Sequence, residues 1–370
     1  MTDYTIANID TLEHDTGEST FNSMVQIDST HYILAYSGTD ANGYIKTFSV
    51  DAGSDTITEL DSLEHDTING TYNSLVMIDS THFMLAYRGD DGDGYIKTFS
   101  IDGSYVITQI DVLEHETTDC LFNSLVKIDD THFMLAYRGP DFDGFVKTFS
   151  IDGSYDNITQ IDVLEHDTDR GSENSLVKVD ATHFILAYSG TDLDGFVKTF
   201  SIDGSYDNIT QIDILEHDTG DGRSNSLIQI DATHYMLAYR GTNLNGFVKT
   251  FSIDGSADNI AQIDSLEHDT DDAASNSLVK IDSILYMLAY GGTDGDGFIK
   301  TFSIDGSYEN ITQTGILEYD IVNGSYNSLV KVDATHAILA YTGENNDGFI
   351  KTFLISEALL ANNALAMCNF

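Results

Sequence analysis

Residues Asn174–Ser224 read NSLVKVDATHFILAYSGTDLDGFVKTFSIDGSYDNITQIDILEHDTGDGRS, and this stretch decides the fold. Four runs in it are rich in β-branched and aromatic residues: NSLVKVD (174–180), HFILAYS (183–189), GFVKTFSID (195–203) and ITQIDILEH (209–217). Turn-forming residues separate them, first D-A-T, then G-T-D-L-D-G, then D-G-S-Y-D-N, and a longer polar loop closes the stretch. Turns this short make consecutive strands run antiparallel.

The unit recurs. The phrase N-S-[LM]-[VI] starts at Asn22, Asn73, Asn123, Asn174, Asn225, Asn276 and Asn327, at intervals of 51, 50, 51, 51, 51 and 51 residues. Four short antiparallel strands per repeat of about this length describe one blade of a β-propeller. A solenoid built from the same unit would need atypical caps at both ends. Here the ends complement each other. The N-terminal YTIANIDTLEHD matches the fourth strand, whereas the last unit supplies YNSLVKVD, HAILAYT and GFIKTFLIS and then leaves the pattern. The predicted fold is all-β: a seven-bladed propeller of four-stranded antiparallel blades, its ring closed by the N-terminal strand completing the last blade. This pairing removes two open sheet edges. One domain over residues 1–356 and a tail over 357–370 outside the repeat follow. The repeat resembles the WD40, kelch and FG-GAP propellers in a general way and matches no one of them.

A second expectation concerns register. In the hairpin around Asp203–Asn208, Lys198 is expected opposite Asp213. The same offset pairs Lys46 with Asp61, Lys97 with Asp111, Lys147 with Asp162, Lys249 with Asp264 and, across the closure, Lys351 with Asp10. Lys300 breaks the rule, because Gly315 takes the aspartate's place. Opposite charges across strands stabilise a pair by roughly 0.2–1 kcal/mol, so these lysines read as structural.

Composition bounds the partners. Of 370 residues, 61 are acidic and 16 are Lys or Arg, for a net charge of −45. Such a surface repels nucleic-acid phosphates and anionic membranes and attracts cations or basic partners. No apolar run approaches the roughly 18 residues of a membrane span, so no membrane insertion is expected. Two cysteines, Cys120 and Cys368, build no disulfide framework and no CxxC metal motif. The N-terminus shows no basic and apolar leader. A cytoplasmic monomer is the default expectation, with leaderless secretion or the cell surface as the alternative.

Several motifs suggest chemistry. The loop between second and third strands carries [DN]-x-[DN]-G in every unit, as in Asp141–Asp143, Asp192–Asp194 and Asp294–Asp296. It resembles the Asp-rich loops of FG-GAP propellers, a resemblance that implies calcium at these carboxylates. Read from the residues alone it is a type I turn with a G1 bulge and a left-handed glycine. No cofactor is required by either reading. Histidines occupy two repeat positions. Six follow L-E (His14, His65, His115, His166, His217 and His268, with Tyr319 seventh), a place similar to the loop histidine of WD40 blades, which implies a hydrogen-bonding role. Six follow Thr at the start of the second strand (His31, His82, His132, His183, His234 and His336). The Asn-Ser pairs are expected either to ring one mouth of the central channel or to bond to the preceding loop. S-x-D-G after the third strand resembles the Asp-box of sialidase-like propellers without its tryptophan, and reads as a turn. There is no G-x-S-x-G, H-E-x-x-H, P-loop or dinucleotide fingerprint.

Near-identity of the units makes their differences informative. The loops from fourth to first strand differ in almost every residue, and those from second to third strand differ next most; both emerge on one face. Just before Asn-Ser stand Phe21, Tyr72, Phe122 and Tyr326 in four neighbouring blades, and Glu173, Ser224 and Ser275 in the other three. Arg88, Arg138, Arg170, Arg223 and Arg240 lie in or beside the same loops. An aromatic and arginine-lined rim for a glycan, peptide or protein ligand is expected there. The leading functional expectation is a non-enzymatic binding module, lectin-like or adhesive. The alternatives are a hydrolase or lyase with a site over the channel, and a protein scaffold.

Overall fold

The computed structural model describes residues 2–51 and 53–358. Its strands form seven four-stranded antiparallel sheets, so the protein is a seven-bladed β-propeller. Blade 1 shows the order from the axis outward: β2 (Thr20–Gln26), β3 (His31–Ser37), β4 (Gly43–Val50) and β5 (Ile57–Asp66). Blades 2 to 6 repeat it. Blade 7 is composite, with β26 (Ser325–Lys331), β27 (His336–Thr342) and β28 (Gly348–Glu357) from the C-terminal end and β1 (Tyr4–Asp15) as its outer strand. The β1–β28 register runs from Tyr4 opposite Glu357 to Asp15 opposite Gly348, which is the predicted closure. The expected tail lies largely outside the described residues.

The alternation of the sequence becomes burial on two faces. Second strands such as HFILAYS are buried along almost their whole length, because each blade is covered by a neighbour on both sides. The core is therefore a set of interblade layers. Met134, Ala136 and Val146 of blade 3, for example, pack on Phe184, Leu186, Tyr188 and Phe200 of blade 4.

The lysine register corrects one expectation. Lys198 faces Ile214, and Asp213 faces Thr199, because a bulge between Thr199 and Phe200 shifts the pairing by one residue. Across the closure Asp10 likewise faces Thr352, and Lys351 faces Thr11. The two groups of each expected pair serve separate joints. Lys147 Nζ donates to the His115 carbonyl oxygen of the preceding blade at 2.5 Å and lies 3.4 Å from Glu116. The other six repeat lysines donate to the equivalent carbonyl. The aspartate instead caps the next blade: Asp213 Oδ2 accepts from the Ile260 N–H at 2.9 Å, and Asp10 Oδ2 from that of Ile57 at 2.9 Å. Gly315 breaks this series at the seam, where a Cβ would stand 2.7 Å from the Tyr4 carbonyl oxygen.

The L-E-H histidines are structural, but through packing. His166 is buried edge-on to Tyr188 and Phe200, and its ring nitrogens have no protein hydrogen-bond partner among the described residues. Burial, then the nearby Lys198 charge, lowers its pKa to about 3, so the ring is neutral. Gly144, on the neighbouring strand of the same blade, explains the D-G of the loop. A Cβ there would lie 2.6 Å from the His166 ring. The left-handed residues of that loop are Asp141 (φ 57°) and Phe142 (φ 74°), not the glycine as the G1-bulge reading had it.

Candidate functional site

The first strands surround the axis and are stitched to one another by the Asn-Ser pairs. Every Asn Nδ2 donates to the backbone carbonyl two positions upstream of the serine in the preceding blade, from Asn73 to Phe21 O (3.3 Å) around to Asn22 to Tyr326 O (3.1 Å). Every serine Oγ accepts the Leu or Met N–H of the next blade at 2.8–3.0 Å. The pairs thus line the mouth of the channel and also bond to the neighbouring blade.

This stitching fixes an unusual backbone. Phe21, Tyr72, Phe122, Glu173, Ser224, Ser275 and Tyr326 all have φ between 48° and 57°. For non-glycine residues the left-handed region costs about 1–2 kcal/mol each. Such strain persists where surrounding bonds over-determine it, and it gathers at functional sites. Here it accompanies a bulge at the start of each first strand, as between Ser172 and Ser175, and the seven side chains line a bowl over the channel mouth of ≈ 470 Å³.

The bowl has two unlike halves. Tyr326, Phe21, Tyr72 and Phe122 form a continuous aromatic arc, with successive ring centroids 4.7, 4.3 and 4.9 Å apart. Glu173, Ser224 and Ser275 form the polar half. The sequence reading brought the four aromatics together correctly and left out these three, although they stand at the same repeat position. The signal was the substitution itself: one carboxyl group in a ring otherwise aromatic or hydroxylic. Burial raises the Glu173 pKa, while the Ser224 backbone N–H and the charges of Arg240, Arg223 and Arg170 partly oppose it.

The predicted arginines sit along the rim beside the polar half and the end of the arc. The Arg138 guanidinium lies over the Phe122 ring, 5.3 Å from its centroid. Arg88 and Arg138 share Asp119 at 3.7 and 3.6 Å, Arg240 is 3.5 Å from Asp272, and Arg223 Nε donates to Asp221 at 2.7 Å. The six loop carboxylates expected to hold calcium are spread over three blades. Asp141, Asp192 and Asp294 have left-handed backbone in 3-10 turns, and Asp143, Asp194 and Asp296 end those turns. Among the described residues no group of three or more His, Cys, Asp or Glu is placed to hold a metal ion.

No family model matches the chain, and no curated protein matches it by sequence. Solved structures do. The periplasmic gluconolactonase of Pseudomonas aeruginosa is 14% identical over 82% of this chain and 85% of its own, with a TM-score of 0.63. A protein described as a 6-phosphogluconolactonase from Bacteroides fragilis is 13% identical over 80% and 86%, with a TM-score of 0.59. The C-terminal WD40 domain of Sif2 is 13% identical over 94% and 98%, with a TM-score of 0.57. At these identities the likeness is one of fold. The names of these neighbours nevertheless include lactonases, which goes against the leading expectation of a non-enzymatic, lectin-like or adhesive module and is in line with the hydrolase given as its alternative.

Proposed function

We propose that the protein is a hydrolase of small sugar-like lactones that works in the bowl at the channel mouth. The observation that carries this reading is the single carboxyl group, Glu173, set opposite an arc of four aromatic rings in a closed and rigid ring of otherwise equivalent positions. A sugar-like ring places its apolar face on the aromatic arc and its hydroxyl and carbonyl groups toward Glu173, Ser224 and Ser275. Glu173 takes a proton from water as the water oxygen bonds to the lactone carbonyl carbon. The ring C–O bond then breaks, and the departing oxygen receives that proton. A carboxyl group held above its ordinary pKa is a better base for this step. The neighbouring guanidinium groups stabilise the negative charge that develops on the carbonyl oxygen. The names of the lactonase neighbours support the choice of reaction class.

The test is hydrolysis of glucono-1,5-lactone by the full chain, followed in a pH-stat against the spontaneous rate. Turnover is expected, with kcat reduced about 10²–10⁴-fold in Glu173→Gln, the range of general-base contributions. A wild-type rate no faster than the uncatalysed one removes the proposal.

A further inference from the structure

All five arginines of the chain stand on one rim. Arg88, Arg138, Arg170, Arg223 and Arg240 belong to the loops and strand ends of blades 2 to 5, beside the bowl. None occurs elsewhere in a molecule whose net charge is −45. The eleven lysines are used differently: the seven repeat lysines are buried in blade joints, as described above. Cations at the rim are not needed for the fold either, since blades 1, 6 and 7 close with none there.

Their own carboxylates leave these guanidinium groups only partly matched. Asp119 serves both Arg88 and Arg138 at 3.6–3.7 Å, beyond close hydrogen-bond range. Asp272 is 3.5 Å from Arg240, and among the described residues only Arg223 has a close carboxylate partner, Asp221. Arg170 has no ion-pair partner among the described residues; the adjacent Asp169 accepts instead from Thr191 Oγ1 at 2.8 Å. The Nε groups of Arg88, Arg138, Arg170 and Arg240 are buried without a hydrogen-bond partner among the described residues. Like charges crowd as well: after burial, Arg138 is the chief influence lowering the Arg170 pKa, and Arg223 adds to it. Planar guanidinium forks held in this way fit oxyanions, which they can grip with two parallel bonds.

We infer that the bowl takes an anionic ligand, a sugar-sized ring that stacks on the aromatic arc and carries a phosphate or carboxylate group gripped by Arg138 and Arg170. This names the substrate class of the site proposed above and rests on that reading only for the chemistry, not for the binding. Arg138 is placed to do both jobs, because its guanidinium already lies against Phe122 at the end of the arc.

The test is calorimetric titration of the full chain with glucose, glucose 6-phosphate and glucuronate at low salt. At least one of the two anions is expected to bind tenfold or more tightly than glucose, and the tighter one identifies the oxyanion. Its affinity should fall about tenfold in Arg138→Gln and in Arg170→Gln and should weaken as salt is raised. Lys331→Gln, on an exposed lysine at the far end of a first strand, should leave it unchanged. Equal affinity for glucose and both anions, or no effect of either arginine substitution in chains with native circular dichroism, overturns the inference. Arginine-dependent binding without any lactone turnover would keep the anion site and discard the hydrolase. Lactone turnover without anion preference would do the reverse.

Discussion

At the scale of single residues, breaks in the sevenfold symmetry explain more than the repeated positions do. Glu173 is the functional case. A structural case lies just beneath the bowl. In blade 1 Ser19 Oγ donates to Asn22 Oδ1 at 3.1 Å, in blade 3 Cys120 Sγ meets Asn123 Oδ1 at 3.2 Å, and in blade 7 the Tyr319 hydroxyl donates to Asn327 Oδ1 at 2.6 Å. Three different side chains thus place a donor at one spot. In blade 6 the corresponding residue is Ala273, fully buried, while Asn276 Oδ1 and His268 Nε2 have no protein partner among the described residues. Ala273→Ser adds a hydroxyl to a Cβ that already fits. It is expected to stabilise the chain by about 0.5–1.5 kcal/mol, a rise of about 1–2 °C in Tm for a domain of this size. A lower Tm by scanning calorimetry would contradict that account.

At the scale of strands and turns, two joints carry predictions. The first is the aspartate that caps the next blade. Asp213→Ala leaves the Ile260 N–H without its acceptor and should cost about 1–3 kcal/mol, whereas Asp213→Asn keeps an oxygen in place and should cost less. Equal denaturant midpoints for the two variants would argue against the joint. The second is a clasp on the face opposite the bowl. Asp28, in the turn after β2, accepts from the Tyr105 hydroxyl of blade 2 at 2.7 Å and from His31, whose ring stacks on Tyr105 with centroids 3.7 Å apart. Burial alone would raise the Asp28 pKa, but the hydrogen bonds from the Thr30 N–H, His31 and Tyr105 outweigh it and hold it at about 2, against an ordinary 3.8. The equivalent aspartates of five other blades, Asp79, Asp129, Asp180, Asp231 and Asp333, are lowered too. A folded-state pKa below the unfolded one gives stability that is complete above pH about 4 and is lost as pH falls toward 2. The urea midpoint should therefore drop between pH 5 and pH 2.5. Tyr105→Phe should shrink the drop, and an undiminished drop in that variant would assign the acid lability elsewhere.

At the scale of the whole molecule, the ring depends on β1. It supplies the outer strand of blade 7, and Ser19 N–H, just after it, donates to Asn346 O at 2.9 Å across the same seam. Truncation of residues 1–15 exposes the edge of β28 and removes the cap that Asp10 gives to blade 1. Tm is expected to fall by more than about 10 °C, with association through the open edge visible by size-exclusion chromatography. A monomer with unchanged Tm would mean that the ring is held by its inner stitching alone.

The blade count, the strand order and the closure were legible in the chain itself, because each follows from local pattern. Strand alternation and turn residues are short-range properties, the seven N-S phrases count the units, and the spare N-terminal strand names its own partner. The aromatic half of the bowl was legible for the same reason, since equivalent positions in a ring meet at the axis. The one-residue register shift at Lys198 was not legible, because a bulge is set by how neighbouring blades pack, and the lysine and aspartate find better partners across the blade joints than across their own hairpin. Glu173 was visible as a residue but not as a site. Its pKa is raised by desolvation, and both that burial and the arginines that partly oppose it arise only once blades 3, 4 and 5 stand side by side. Composition and repeat, then, determined the architecture of this protein. The repeat also placed five arginines on one rim; tertiary packing alone decided which carboxyl group faces the aromatic arc and left those arginines crowded and only partly paired beside it.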